Sequence, residues 1–167
     1  MRFFSVFIVF LLLCFFAEGL FAATFKLRKE RWELLANGTV CRILRLERCH
    51  QGAASRPQMS QKSLWSGSTL SLRKAFVQST SGKNQVVDKK QVRLLPQDNG
   101  RVKLDLRFPT VNDGEKYVFE VEERQDAGAA GSLGFSPMHV FAASEFIERD
   151  IFEVAVDKEM KLTWVAR

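Results

Sequence analysis

Apolar and polar residues alternate along much of this chain with a period of two, which is typical of β-strands that bury one face. The clearest case runs from Val102 to Phe108, where Lys103, Asp105 and Arg107 separate four apolar residues. The chain is therefore predicted to contain about eight short strands. The other predicted strands cover residues 31–36, 39–44, 69–78, 86–95, 117–122, 152–156 and 160–164.

A hairpin is predicted near the start of this series. Asn-Gly at positions 37 and 38 lies between two alternating segments, and this dipeptide favours a two-residue hairpin turn. Such a turn pairs Leu34 with Cys41 and Trp32 with Ile43. The competing prediction is a helix over residues 25–36, because this stretch is rich in helix-forming residues.

The remaining segments complete a prediction of fold class. Residues 51–67 are polar and residues 127–136 are rich in Gly, Ala and Ser, so both are predicted to be loops. Residues 139–149 fit either a strand or a short helix. No helical periodicity alternates with the strands. We therefore expect an all-β fold, an antiparallel β-sandwich of about eight strands, in a single domain over residues 23–167.

One stretch has a family resemblance. The alternating strand, then Asn-Asp-Gly at positions 112–114, then Tyr117 at the start of the next strand resemble the corner between strands E and F of immunoglobulin-like sandwiches. The resemblance covers about 20 residues (Val102–Val121). It departs from the family pattern by one additional residue before Tyr117 and by the missing cysteine pair with its core Trp. It implies an immunoglobulin-like architecture and no particular function.

The N-terminus has the features of an export signal. Phe3–Phe16 is apolar apart from one Ser, and its 14 residues match a signal-peptide core and fall short of the about 20 that a membrane span needs. Cleavage after Gly19 or Ala22 fits the preference for small residues. In the alternative, an uncleaved anchor, Glu18 would be costly. We expect residues 1–22 to be removed, leaving a secreted or periplasmic protein without stable membrane insertion.

Charge is distributed unevenly along the chain. Residues 23–109 hold 18 basic and 6 acidic side chains, and residues 110–167 hold 6 basic and 12 acidic ones. Either the first part forms a basic surface for anionic glycan or lipid, or the two parts lie side by side and neutralise each other. We favour neutralisation. The candidate anion-binding residues are Arg73, Lys74, Lys89, Lys90 and Arg93. The chain has no run of four basic residues and no nucleic-acid motif, so no nucleic-acid partner is expected.

The exported part has two cysteines, and an even number in an exported protein favours a disulfide. If residues 41–49 formed one straight strand, the two Cα atoms would lie about 26 Å apart at roughly 3.3 Å per residue, whereas a disulfide needs about 7 Å or less. The alternation changes phase at Ile43, which fits a chain that turns back. We therefore predict a Cys41–Cys49 disulfide, with two free thiols as the alternative. Asn37 heads a formal glycosylation motif that matters only in a host with that machinery.

No catalytic signature stands out. Ser132 lies in a Gly/Ala segment that lacks the strand and helix of a nucleophile elbow, and His139 pairs with a cysteine nucleophile only if that cysteine is free. Cys41, Cys49 and His50 lack zinc-site spacing, so neither a metal nor a cofactor is expected.

These observations favour an exported, non-enzymatic binding module of the cell envelope or extracellular space, whose partner is another protein or a surface glycan. Binding would use the loops at 51–67 and 127–136 or a sheet edge. The candidate contact residues are Trp65, Phe135 and Met138, each of which equally suits a core position. The alternatives are a small secreted hydrolase that uses Ser132 or His139, and a surface protein that binds anionic glycan or lipid through its basic residues.

Overall fold

The computed structural model describes residues 25–126, Pro137 and residues 147–158. The described residues form an all-β fold of nine strands in two sheets. The six-stranded sheet has the order β5-β4-β8-β2-β1-β9, and the three-stranded sheet has the order β3-β7-β6. The strands are β1 (Phe25–Leu34), β2 (Val40–Cys49), β3 (Gln58–Lys62), β4 (Thr69–Gln78), β5 (Asn84–Val86), β6 (Val92–Pro96), β7 (Val102–Arg107), β8 (Lys116–Gln125) and β9 (Asp150–Val156).

The predicted hairpin exists between β1 and β2, and the competing helix over residues 25–36 is wrong. The register differs from the prediction by one residue, because Leu34 pairs with Val40 and Trp32 with Arg42. The turn causes this shift. Leu35 N donates to Thr39 O, so three residues form the loop, and Gly38 has a φ of 79° that favours glycine. A one-residue shift exchanges the faces of a strand, and it places Arg42 beside Trp32 on the inner face of the sheet.

Strand β9 departs from the predicted antiparallel arrangement. It pairs with β1 in parallel, with Arg28 opposite Asp150 and Trp32 opposite Val154. Alternation along β9 marks its two faces but carries no information on its direction, so the sequence did not reveal this pairing.

Two further differences concern the three-stranded sheet. Strand β3 lies within the segment that was predicted to be a loop, since a polar strand at a sheet edge lacks apolar alternation. The single strand predicted over residues 86–95 is two strands. The chain leaves β5, passes through a 3₁₀ turn at Lys89–Gln91 and enters β6 in the other sheet. Asp88 caps this turn by accepting a hydrogen bond from Lys90 N (2.9 Å).

The core lies between the two sheets. Leu104, Leu106 and Phe108 of the β7 segment face Phe119 and Val121 of β8, and each of these side chains is at most 2 % exposed. The connection from β7 to β8 crosses between the sheets. Tyr117 packs at its end against Phe108, with 5.1 Å between ring centroids. Burial of these large side chains is the main stabilising contribution, at about 1.5–3 kcal/mol each.

A buried ionic cluster extends the inner face toward β1. Arg42 Nε donates to Glu30 Oε1 (2.5 Å), and Arg42 Nη1 lies 3.6 Å from Glu123 Oε2. Glu123 Oε1 accepts hydrogen bonds from Leu64 N (2.7 Å), Trp65 N (3.0 Å) and Ser68 Oγ (2.8 Å). Glu123 therefore holds the loop before β4 onto the sheet.

The two halves of the chain neutralise each other in the six-stranded sheet, as we favoured from the sequence. Acidic β8 lies between β4 and β2, and acidic β9 lies beside β1. Within the described residues, ion pairs join basic residues of the first half to acidic residues of the second. They are Lys26–Glu148, Arg28–Asp150 (3.8 Å), Lys29–Glu153 (2.7 Å), Arg42–Glu123 (3.6 Å), Arg45–Glu120 (3.5 Å), Arg73–Glu120 (3.6 Å) and Arg73–Glu122 (3.6 Å).

Candidate functional site

The structure does not contain the predicted Cys41–Cys49 disulfide. Both thiols are free and lie near opposite ends of β2, which runs without a reversal from Val40 to Cys49. The alternation of apolar residues changes phase at Ile43, but no turn lies there. The change arises because Arg42, a charged residue, takes an inner-face position through its ion pairs. Burial raises the pKa of the Cys41 thiol above its usual range, and the nearby Glu122 carboxylate raises it further.

Trp65 takes a packing position. Its ring meets Trp32 edge to face with centroids 5.3 Å apart, and its backbone N–H donates to Glu123. The Trp65 side chain is half-buried. Phe135 and Met138 lie outside the described residues.

Several other predicted positions have a clear location. Asn37 is exposed in the β1–β2 turn, where its Oδ1 accepts a hydrogen bond from Thr39 N (3.0 Å). Ser132 and His139 lie outside the described residues.

The described residues contain no group of three or more His, Cys, Asp or Glu side chains placed to hold a metal ion. The part of the chain that the structure covers also has no helix with the length and apolarity that a membrane crossing requires.

One site-like feature among the described residues is a groove at an open side of the molecule, which we call the edge groove. It lies between β4 of one sheet and β6 of the other and has a volume of about 620 Å³. This size falls within the range of small-molecule and peptide sites. The lining residues are Leu72, Arg73, Lys74, Ala75, Phe76, Val86, Val87, Lys89, Val92 and Leu94.

The edge groove carries the two most exposed large apolar side chains among the described residues. Val86 is 77 % exposed and Leu94 is 55 % exposed. Beneath them, Leu72 and Val92 pack against the core, and Ala75 and Val87 belong to it. The floor is thus fixed by the core, whereas the apolar rim faces solvent.

Strand edges border the groove on both sides. β5 pairs only with residues 76–78 of β4, so Thr69–Lys74 has no neighbouring strand on that side within the described residues. In the part of the chain that the structure describes, β6 is the last strand of its sheet and pairs only with β7. Pro96 at its end fits an edge position, because proline has no N–H to donate.

The predicted basic residues fall into two groups around β6. Lys74 and Lys89 line the edge groove, together with Arg73, which is held by Glu120 and Glu122. Lys90 and Arg93 line a second cleft of about 340 Å³ on the other face of β6, beside Arg107. We call this second site the basic cleft.

The sequence analysis named these basic residues as candidates but did not name Val86 and Leu94. Both were assigned to one continuous strand, in which each would be half-buried. A useful signal was Asp88-Lys89-Lys90, three charged residues that interrupt the apolar pattern between two apolar pairs. The exposure of Val86 and Leu94 depends on the change of sheet between them. Alternation of polar and apolar residues does not reveal this change.

No protein-family model matches this sequence, and comparison with curated proteins finds no match. Among solved structures, the chain is similar to the crystal structure of a "putative protease" from Parabacteroides distasonis, at a TM-score of 0.51 and 11% sequence identity. The match covers 64% of this chain but only 23% of that chain. At this identity the likeness concerns the fold alone.

Proposed function

We propose that this chain is an exported, non-enzymatic binding module of the cell envelope or extracellular space, and that it binds a partner protein at the edge groove. The observation that carries the proposal is the exposure of Val86 and Leu94 on a core-supported groove bordered by two strand edges. Exposed apolar patches of this kind are typical of interaction sites. Sheet edges bind extended segments through main-chain hydrogen bonds.

The proposal includes the export and the finer architecture expected from the sequence. The apolar segment Phe3–Phe16 supports cleavage of residues 1–22. The connection from β7 to β8 crosses between the sheets and ends at buried Tyr117, which supports an immunoglobulin-like sandwich. The intact mass of the protein from its exporting host tests the first point. Loss of the first 19 or 22 residues is expected, and a full-length mass contradicts it.

A photo-reactive amino acid tests the binding site in the exporting host. Placed at Leu94, it is expected to give a cross-linked product of higher mass, because this side chain faces the partner. The matched control is Leu35, which is 36 % exposed in the β1–β2 turn and does not line the groove. Equal products from both positions, or none from Leu94, contradict the proposed site.

Surface binding of anionic glycan or lipid is the second candidate function, and the basic cleft is the observation that favours it. Lys90, Arg93 and Arg107 line it together with one acidic residue, Asp105, which is paired with Lys103. We place this candidate function second mainly because most basic residues of the six-stranded sheet already form ion pairs with acidic residues. A hydrolase that uses Ser132 or His139 has no support from the described residues.

A further inference from the structure

Strand β6 presents two chemically different faces at an open edge. Val92 and Leu94 point into the edge groove, and Arg93 lies between them on the opposite face, in the basic cleft. A strand added beside β6 places its own side chains alternately on these two faces. Its inward residues meet a mainly apolar surface whose lining also includes Lys74 and Lys89, and its outward residues meet Lys90 and Arg93, with Asp105 in the same cleft.

The backbone of β6 is available for such pairing at Leu94. Gln97 N donates to Arg101 O at the end of the β6–β7 hairpin. In antiparallel pairs the bonded positions alternate, so Leu95 and Arg93 bond to β7 while Leu94 N–H and C=O face the open edge. Val92 N–H is already used by Lys89 O in the 3₁₀ turn. The pairing is therefore short and centred on Leu94.

The charges around β6 specify the outward residues of the added strand. No ion pair of Lys89, Lys90 or Arg93 is found among the described residues, and Asp105, which lies opposite Arg93 on β7, is paired with Lys103. This differs from the six-stranded sheet, where bases of the first half face acids of the second. Acidic side chains directly opposite these cations stabilise a strand pair, whereas basic ones destabilise it.

The same charges argue against two other occupants. A second copy that paired edge to edge through Leu94 would bring both Arg93 side chains to the same face of the joined sheet, where they repel each other. Residues 159–167 of this chain also alternate in polarity, but they carry Lys161 and Arg167 against Glu159. Neither segment complements the basic cleft.

We propose that the occupant of the edge groove is an extended segment of a partner protein in which apolar and acidic residues alternate, and that it adds as an antiparallel strand to β6. The inference rests on the proposed function and names the chemistry of the partner. Apolar side chains lie against Val92 and Leu94, acidic side chains lie beside Lys90 and Arg93, and Leu94 supplies a pair of main-chain hydrogen bonds.

Synthetic peptides test this inference with the mature protein. The probe is an end-blocked nine-residue peptide of alternating Val and Glu, and the matched peptide replaces Glu with Lys. We expect the Val–Glu peptide to bind at least about tenfold more tightly, since the charge contacts with Lys90 and Arg93 together contribute on the order of 1.4 kcal/mol. The double variant K90E/R93E is expected to reverse this preference, and L35E is expected to leave it unchanged.

N-methylated peptides test the main-chain part. In an antiparallel strand the residue opposite Leu94 points into the groove and exchanges both hydrogen bonds with it. Methylation of the Val amides is therefore expected to abolish binding, while methylation of the Glu amides leaves it intact.

Three results overturn the inference. They are equal affinity for the two peptides, no binding of either at about millimolar concentration, and binding that tolerates both methylations and is displaced by heparin. The last result identifies an anionic glycan as the ligand chemistry. The cross-linking result at Leu94 is independent of these peptides, so failure of the inference leaves the proposed function standing and failure of the cross-link removes both.

Discussion

Val86 and Leu94 line the same groove, although Val86 ends a strand of the six-stranded sheet and Leu94 lies in the three-stranded sheet. The connection between them changes sheet through the 3₁₀ turn at Lys89–Gln91. Because it crosses the open side of the molecule, neither side chain is covered by the facing sheet. The exposure of both residues thus follows from the topology of the chain.

Replacement of these rim residues is expected to leave the fold intact. Val86→Glu should change the free energy of unfolding by no more than about 0.5 kcal/mol, because surface substitutions away from packed contacts have small effects. Leu104→Ala is the matched comparison. This side chain is 0 % exposed, and its truncation should cost about 2–5 kcal/mol. Urea denaturation monitored by Trp fluorescence measures both, and a large loss in Val86→Glu would show that the groove is a packed interior.

Loss of Glu123 is expected to be the most destabilising change to a charged residue on β8. Glu123→Ala leaves Arg42 facing Glu30 alone and leaves Leu64 N and Trp65 N without this acceptor, whereas Ser68 Oγ still reaches Trp65 O (2.9 Å). Removal of one partner from a buried ion pair costs about 3–5 kcal/mol.

The neighbouring Glu122 supplies the control for this experiment. Its side chain is 29 % exposed and lies 3.6 Å from Arg73 Nε on the outer face. Glu122→Ala should cost about 0–1 kcal/mol, and Glu123→Gln should fall between the two variants. Equal denaturation midpoints for Glu122→Ala and Glu123→Ala would contradict the buried cluster.

The thiols give a test of strand β2. Alkylation of the unfolded mature protein, which lacks Cys14, should add two groups without reductant, because Cys41 and Cys49 are both free. In the folded protein Cys49 should react faster than Cys41, which is 5 % exposed. Mass spectrometry of the peptides measures both reactions. A protein that resists alkylation when unfolded contains the disulfide, and the straight strand would then be wrong.

The raised pKa of the Cys41 thiol predicts a dependence of stability on pH. Burial favours the neutral thiol in the folded state, so that state keeps its proton at a pH where the unfolded chain has lost it. The stabilising contribution is complete below the ordinary thiol pKa and is lost as pH rises through the raised value. Urea denaturation between about pH 8 and pH 10 should show a larger loss for the wild type than for Cys41→Ala. Parallel curves would exclude this linkage.

Much of the fold was accessible from the sequence, because one-sided burial leaves a clear pattern. Strands β4, β7 and β9 were predicted close to their observed bounds. The β1–β2 register was not predicted correctly, because Asn-Gly occurs both in two-residue and in three-residue loops. The hydrogen bond from Leu35 N to Thr39 O distinguishes the two, and it is visible only in the structure. The edge groove was not predicted either, because the exposure of Val86 and Leu94 depends on which sheet each strand joins.

Amide hydrogen exchange at Leu94, followed by NMR on the mature protein, tests the central claim most directly. Arg93 and Leu95 are internal controls, because their N–H groups bond to β7. If the edge of β6 is open and binds a strand, Leu94 should exchange faster than both neighbours in the free protein and become protected when the Val–Glu peptide is added. Protection of Leu94 in the free protein, or no change on adding the peptide, would contradict the edge groove as a strand-binding site.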